Sequence, residues 1–420
     1  MKHGLLIFAL GVAVFTASPP EGATGFLRIP FVGSYMITYF DVLVGFCFLV
    51  CLSSGEFRFH KDEKRIYQAL GFVILARILS LAFASNMAPE QVISILRYIE
   101  TFVILVLLAN MLALPHNRRL FLSGVIVGAL AETAGGLTVF FASGGENRGI
   151  WLGLNNYELQ VFVLVFLCLL LRYKRHLTWA VLGAIFLFLG ITVTETRRAI
   201  VVFSIALFIL ALTHRRAMLK PILAVLITAA LVIIPVIHIL PDVQQSLSER
   251  VEQLWTGGGT IGVRFILWEM AAEAYLSHPV TGIGSGGFAR QQNALYLEIN
   301  DAYAPEYEDL YGSLSTHDTV LGAAAETGTL GLLAYFLWVV AVVRSCLRGI
   351  RLERVYQDPA VLAACVCILG MMFEDWWGQA SFIPPCTCLL GLLLGWLRSR
   401  KKGSRIASAL PDRTQFTLTA

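Results

Sequence analysis

The chain has 420 residues, of which 57% are hydrophobic and 14% charged, and its formal net charge is +4. This composition excludes a soluble globular protein of such length, whose surface would need many more polar residues. It also excludes a nucleic-acid-binding protein, because the basic residues are divided among short loops and form no single patch. The chain is therefore predicted to be an all-α polytopic membrane protein.

Twelve apolar segments of the sequence are predicted to be transmembrane helices. The hydrocarbon core of a bilayer is about 30 Å thick and needs roughly 20 apolar residues per helix. The segments lie near residues 4–18, 33–53, 66–85, 92–113, 120–142, 155–171, 177–194, 199–213, 219–239, 319–343, 360–378 and 382–397. The chain then divides into nine helices over residues 1–239, a long external loop with short helices over 240–318, three helices over 319–397 and a tail over 398–420.

The distribution of lysine and arginine predicts the orientation of these helices. When both termini are placed in the cytoplasm, most of the 32 basic residues fall in cytoplasmic loops, as the positive-inside rule requires. Lys2 before the first apolar segment is also typical of a secretory signal peptide. Because loss of that segment would spoil the alternation of charge, we expect it to be retained as an anchor.

The cysteines and the charged residues within the apolar segments are predicted to have structural roles. All eight cysteines lie in or beside these segments, at spacings that suit packing better than metal binding or disulfides. Arg97 and Glu100 are three residues apart and can pair along one helix face. For Arg77, Asp41 and Glu132 an ion-pair network is favoured over catalysis, because a charge at membrane depth needs a partner.

The external loop contains a predicted helix from about Gly262 to Ser277, followed by a glycine-rich turn. In GVRFILWEMAAEAYLSHP the basic and aromatic residues recur at helical spacing, which favours a helix lying along the membrane surface. The following TGIGSGGF contains GxGxxG, but no strand precedes it, so a dinucleotide site is not expected. A hinge, or a close approach of the backbone to a ligand, is favoured instead. The acidic, tyrosine-rich stretch over residues 300–312 is either a solvated loop or a carbohydrate-facing one.

Three external basic residues and their neighbours form the candidate functional site. Arg197 and Arg198 are adjacent, so one can face a cavity while the other meets lipid phosphates, and headgroup binding is the alternative for either. Arg264 together with Arg197 would suit a diphosphate, because a guanidinium group donates two parallel hydrogen bonds to phosphate oxygens. His317 begins the tenth segment, where the helix dipole favours a neutral imidazole that can accept a proton. Asp318 completes an [ST]-x-x-[DE] helix start and is expected to cap backbone N–H groups.

Two stretches of the sequence resemble the signature of the bacterial O-antigen ligase and O-antigen polymerase superfamily. They are RFILWEMAAEAYLSHPVTGIGSGGF, from Arg264 to Phe288, and THDTVLGAAAETGTLGLLAYF, from Thr316 to Phe336. The matching positions are Arg264, Trp268, Pro279, Gly282, Gly284, His317, Glu326, Gly328 and Gly331. TETRRAI is similar to a Thr-x-Ser-Arg stretch of the family and aligns Arg197 with its arginine, whereas Asp318 stands where asparagine is usual.

The resemblance implies an inner-membrane glycosyltransferase that moves a glycan from undecaprenyl diphosphate to an acceptor hydroxyl at the periplasmic face. It implies that Arg197 and Arg264 hold the diphosphate, that His317 orients or deprotonates the acceptor, and that no metal or other cofactor takes part. Further substrate-binding positions are expected at Arg198, Asp318, Trp268 and Glu326. The expected partners are the carrier-linked glycan donor, a lipid A-core or growing glycan acceptor, and membrane lipids, with no nucleic acid.

Several functions remain open at the level of the sequence. Ligation of O-antigen to lipid A-core is favoured, because the motifs are close to the ligase pattern. A polymerase of O-antigen or exopolysaccharide shares the same motifs, and a protein O-oligosaccharyltransferase is a third enzyme. Outside the enzymes, the alternative is a twelve-helix flippase or transporter, although such proteins usually have related halves and a site near the middle of the bilayer.

Overall fold

The chain folds into a helical bundle, described by a computed structural model. The described residues are 4–17, 29–30, 36–55, 59–60, 63–83, 89–144, 150–152, 156–172, 177–194, 197–214, 260–291, 295, 316, 318–372 and 383–409. The helices are α1 Gly4–Ala13, α2 Tyr39–Ser53, α3 Lys64–Ala82, α4 Pro89–Met111, α5 Pro115–Ala142, α6 Tyr157–Arg172, α7 Leu177–Val193, α8 Arg197–His214, α9 Thr260–Ser277, α10 Thr319–Tyr356, α11 Pro359–Met371 and α12 Ile383–Ala409. A 3-10 turn over Val14–Thr16 extends α1, and Ile29–Pro30 pairs with Met36–Ile37 as two antiparallel strands, β1 and β2.

The helix positions agree with the apolar segments of the sequence. Eleven of the twelve predicted segments overlap α1 to α8 and α10 to α12, while the ninth, over 219–239, lies outside the described residues. Among the described residues, four spans are long and apolar enough to cross a membrane, namely Lys64–Ala82, Gln91–Met111, Pro115–Ala142 and Thr319–Glu353. The structure is therefore consistent with an all-α membrane protein, and the number of twelve crossings stays a prediction.

The centre of the bundle is formed by helix stretches that are buried on every side. They are residues 104–109 of α4, 157–165 of α6, 360–368 of α11 and 384–397 of α12. Contacts join α4 to α12, α6 to α11 and α11 to α12. Helices that are apolar all round are typical of a protein core or a membrane span.

An outer layer of helices surrounds this centre and presents apolar side chains outward. Exposed residues include Phe46 of α2, Phe72 of α3, Phe208 of α8 and Phe336 of α10. In water such a surface would be unfavourable, but it suits contact with lipid chains. The two layers together fit the membrane class predicted from composition.

A buried ion pair joins α3 to α12 at one end of the bundle. Glu63, immediately before α3, accepts hydrogen bonds on both carboxylate oxygens from Arg398 of α12. Tyr67, one turn into α3, donates to Glu63 and accepts from Arg398 at 3.0 Å. Glu63 and Arg398 are each less than a tenth exposed. Each charge therefore has a partner that replaces the water it has lost.

Candidate functional site

The loop helix α9 packs against the start of α10. A hydrophobic cluster separate from the main core joins the two helices and consists of Ile266, Leu267, Met270, Ala271, Ala274, Ile283, Phe288, Leu295 and Ala325, with Leu321 beside it. The hydroxyl of Tyr275 lies 3.0 Å from that of Thr329. The helix predicted over 262–277 is confirmed, since α9 spans Thr260–Ser277.

The C-terminal end of α9 lies beside the break in α10. The α10 residues of the cluster all precede Thr329, whereas beyond it Leu330, Leu333 and Phe336 are exposed. The C-terminal end of α9 meets Thr329 through Tyr275. Arg264 is eleven residues before Tyr275, and Asp318 is eleven before Thr329. At a rise of 1.5 Å per residue each lies about 16 Å from that contact.

A glycine-rich turn after α9 is joined by backbone hydrogen bonds to a break in α10. The break lies at Gly328, whose φ of 63° and ψ of −160° are not helical. The N–H groups of Ile283 and Gly284 donate to the carbonyl oxygens of Ala325 and Glu326 at 2.9 and 3.1 Å. In the other direction, the N–H of Thr329 donates to Pro279 at 2.8 Å. The turn thus supplies hydrogen-bond partners for the backbone groups that lose their helical partners at the break.

Two signature glycines are required by this junction. Gly282 has φ of +67°, and a Cβ atom there would lie 2.4 Å from the backbone of Glu326 and Thr327. A Cβ atom on Gly328 would lie 2.4 Å from the backbone of Val280. The close backbone approach expected for the turn is therefore observed, but it is made to α10 and not to a ligand.

Arg77 of α3 binds both sides of the junction. Its Nη1 donates to Glu326 Oε2 at 3.0 Å and to Ser285 Oγ at 2.7 Å. Its guanidinium carbon lies 4.0 Å from the ring centre of Tyr98. Ser80, one turn further along α3, donates to the carbonyl oxygen of Glu326. The ion-pair interpretation of Arg77 is confirmed, and its partner is a residue for which the sequence predicted substrate binding.

Three more charged residues of the apolar segments, Arg97, Asp41 and Glu132, are also paired or hydrogen-bonded. Arg97 lies 2.7 Å from Glu100, as the sequence predicted, and 3.3 Å from Asp41. The carboxylate oxygens of Glu132 accept the backbone N–H groups of Trp151 and Leu152 at 3.0 and 2.7 Å. A carboxylate that is 1% exposed thereby anchors a loop by two hydrogen bonds.

Asp318 is the N-cap of α10. Its carboxylate accepts the N–H of Leu321 at 2.8 Å, and the Thr316 hydroxyl donates to the Asp318 carbonyl at 2.7 Å. The predicted cap is confirmed, although Asp318 occupies the N-cap position itself. His317, between these two residues, lies outside the described residues. Whether it approaches Arg264 and Arg197 stays a prediction.

Arg197 and Arg198 are the first two residues of α8, and their side chains lie outside the described part of the structure. The helix register distinguishes their positions. Arg198 is one turn before Val202, which is buried and contacts Gly370 of α11, whereas Arg197 is one turn before Val201, which is exposed. Which of the two arginines faces a cavity stays a prediction.

Trp268 lies one helical turn after Arg264 on α9. Its indole Nε1 is buried and has no hydrogen-bond acceptor within the described residues. Its ring packs edge to face against Phe265, with 5.4 Å between ring centres, and Phe265 is exposed. A buried N–H group beside an arginine suits a substrate oxygen.

The described ranges contain no group of three or more acidic, cysteine or histidine side chains that could hold a metal ion. All eight cysteines are buried, as the packing interpretation predicted. The acidic, tyrosine-rich stretch over 300–312 lies outside these ranges.

Comparison with known proteins agrees with the motifs of this region. A family model described as O-antigen ligase matches residues 182–336. The match begins before α8, includes α9 and the glycine-rich turn, and ends within α10. No curated protein matches the chain.

Proposed function

We propose that this chain, whose residues 182–336 place it in the O-antigen ligase and polymerase superfamily, transfers a carrier-linked glycan to an acceptor hydroxyl. The donor is an undecaprenyl-diphosphate-linked glycan, and the acceptor is lipid A-core. The reaction takes place at the periplasmic face of a bacterial inner membrane, with both termini of the protein in the cytoplasm. The apolar helices and the family match support this environment.

The observation that carries the proposal is the packing of α9, which contains Arg264, against the segment of α10 that Asp318 caps. Arg264 and Asp318 each precede the Tyr275–Thr329 contact by eleven residues, so a parallel arrangement of the two helices would place them at the same end. A phosphate bound by Arg264 would then lie near the start of α10, where helix N-terminal N–H groups favour negative charge. The acceptor-activating residue that we assign, His317, precedes Asp318 in the chain.

In the reaction, the acceptor hydroxyl oxygen forms a bond to the anomeric carbon of the glycan. The bond between that carbon and the diphosphate oxygen breaks, and the carrier diphosphate leaves with the bonding electron pair. Arg264, with an arginine of α8, neutralises the charge that develops on the leaving oxygens. His317 takes the proton from the hydroxyl. Asp318 is less suited to that step, since its carboxylate caps Leu321.

The assignment of the second arginine follows the register of α8. The family motif aligns Arg197, whereas Arg198 is the residue one turn before the buried Val202. Arg197→Ala and Arg198→Ala therefore need to be compared side by side. We expect the variant of the diphosphate-binding arginine to lose at least 100-fold in transfer rate, equivalent to about 2.7 kcal/mol of transition-state stabilisation.

The test of function combines a deletion strain with a purified assay. The strain should accumulate uncapped lipid A-core and full-length glycan on its carrier, which lipopolysaccharide gels and lipid extraction measure. The purified protein should join undecaprenyl-diphosphate-linked glycan to lipid A-core. Arg264→Ala and His317→Ala should abolish the transfer while both variants remain in the membrane. Arg290→Ala is the matched control, because it removes an exposed arginine from the segment that follows the turn.

Other outcomes identify other functions. A single repeat unit attached to core would indicate a polymerase, the second candidate, which shares the matched family. Loss of carrier-linked glycan from the outer leaflet would indicate a flippase. Wild-type transfer by Arg264→Ala or His317→Ala would refute the site that we propose.

A further inference from the structure

We infer that Arg77, in a helix outside the family match, is a positioning residue that sets the orientation of the first segment of α10, residues 319–327. The inference rests on the proposed function, because it assigns Arg77 an effect on glycan transfer. Arg77 acts through Glu326 and Ser285 and is not itself placed in contact with substrate.

The first segment of α10 needs a support because the helix is interrupted at its C-terminal end. In a continuous helix the N–H groups of Thr329 and Leu330 would donate to the carbonyls of Ala325 and Glu326. Here they are directed to Pro279 and Val280, at 2.8 and 3.5 Å. Hydrogen bonds to the turn therefore replace these two helical hydrogen bonds at the break.

Side chains of α3 supply that support through hydrogen bonds to the segment and to the glycine-rich turn. Glu326, the penultimate residue of the segment, accepts a hydrogen bond from Arg77 on its carboxylate and one from Ser80 on its carbonyl oxygen. The hydroxyl of Ser285, in the glycine-rich turn, accepts a hydrogen bond from the same Arg77 nitrogen and lies 3.3 Å from the hydroxyl of Ser94 of α4. The turn, the segment and two outer helices are thus fixed to one another around a single guanidinium group.

The environment of Arg77 makes this connection stiff and dependent on charge. Arg77 is 8% exposed, and its guanidinium lies against the ring of Tyr98. Its ion pair with Glu326 is shielded from water, so loss of either partner leaves the other charge buried and uncompensated. A neutral replacement would weaken the connection without changing the volume of the side chain greatly.

Because the segment is long, a small tilt at Glu326 displaces its N-terminal end far enough to lower the rate of glycan transfer. Asp318 lies eight residues before Glu326, which corresponds to about 12 Å along the helix. A tilt of about 5° around Glu326 moves that end by about 1 Å, and a displacement of this size can reduce a rate 100-fold. The inference gives Glu326 a supporting role in place of the substrate-binding role expected from the sequence, so the loss should appear in kcat and not in KM.

The experiment measures kcat and KM of purified variants with undecaprenyl-diphosphate-linked glycan and lipid A-core. Arg77→Gln and Glu326→Gln should each lower kcat by 10- to 100-fold, while KM for either substrate changes by less than threefold. Arg77→Lys and the exchange Arg77→Glu with Glu326→Arg should recover part of the lost kcat. Arg65→Gln is the matched control, since Arg65 is an exposed arginine of the same helix, and it should behave as wild type.

A milder variant protects the test against misfolding. Ser80→Ala removes one hydrogen bond to Glu326 and should reduce kcat threefold to tenfold with an unchanged melting temperature. Wild-type kcat in Arg77→Gln, or a loss confined to KM, would overturn the inference. So would an exchange variant no more active than either single variant, because Arg77 would then act directly on substrate. Absence of transfer by the wild-type protein would refute the proposed function instead.

Discussion

The N–H of Ile283 donates to the carbonyl oxygen of Ala325, which an unbroken α10 would have offered to Thr329. Thr329 in turn donates to Pro279, so the loop and the membrane helix have exchanged hydrogen-bond partners across the break at Gly328. Backbone groups at membrane depth must be satisfied by protein, since lipid offers no substitute. The glycine-rich motif and the glycines of α10 are therefore two parts of one structural feature.

Gly282→Ala and Gly328→Ala should both destabilise the protein strongly. Each adds a Cβ atom 2.4 Å from backbone and requires an alanine at positive φ. We expect a clear fall in the melting temperature of the detergent-solubilised protein, which nanoscale fluorimetry measures. Gly45→Ala and Gly71→Ala are the controls, because a Cβ atom at either position meets no atom within 4 Å. Equal melting temperatures for all four variants would contradict the junction.

Arg398→Ala should destabilise the bundle by roughly 3–5 kcal/mol, because it leaves the buried Glu63 carboxylate without its partner. Tyr67→Phe removes two hydrogen bonds to the same pair and should cost about 1–3 kcal/mol. Chemical unfolding in mixed micelles measures both differences. Arg348→Ala, at an exposed position of α10, should leave stability unchanged, and an equal loss in that control would show a nonspecific effect of charge.

Glu132→Ala should release the loop that contains Trp151. The substitution leaves the N–H groups of Trp151 and Leu152 without their acceptor, at a cost of roughly 1–3 kcal/mol for each group that stays buried. Glu132→Gln keeps one acceptor oxygen and should be intermediate. Limited proteolysis of the loop and the melting temperature report the change. Glu273→Gln, on the exposed face of α9, serves as the control, and a protected loop in Glu132→Ala would count against this anchor.

Trp268→Phe should reduce glycan transfer about tenfold while preserving the contact with Phe265. The phenylalanine ring retains the edge-to-face packing but lacks the indole N–H, and one lost hydrogen bond is worth about 1–1.5 kcal/mol. Steady-state kinetics with varied donor concentration measures the effect. Leu276→Ala, at an exposed position of the same helix, should transfer at the wild-type rate. Full activity in Trp268→Phe would show that the indole N–H does not bind substrate.

Much of the fold follows from periodicity and composition. The apolar helices within the described residues, the loop helix before His278-Pro279 and the Arg97–Glu100 pair depend on local spacing, and each is found where the sequence predicts it. The length of α10 was underestimated, because its polar C-terminal extension to Tyr356 lies beyond the apolar segment. An apolar count cannot detect a helix that continues past the membrane.

The junction around Arg77 could not be predicted, because its members are distant in sequence. Arg77 and Glu326 are 249 residues apart, and Arg77 and Ser285 are 208 apart. An arginine in an apolar segment indicates that a partner exists but does not identify that partner. Similarly, the glycine spacing indicates that another group approaches the backbone of the turn closely. Only the folded structure identifies α10 as that group.

The buried centre of the bundle has a consequence for biogenesis. Residues 384–397 of α12 are made after α4, against which they occupy the middle of the structure. Until α12 enters the membrane, the helices made before it surround a centre that α12 does not yet fill. Insertion of α12, and not of the first helices, is therefore the event that fills the buried centre.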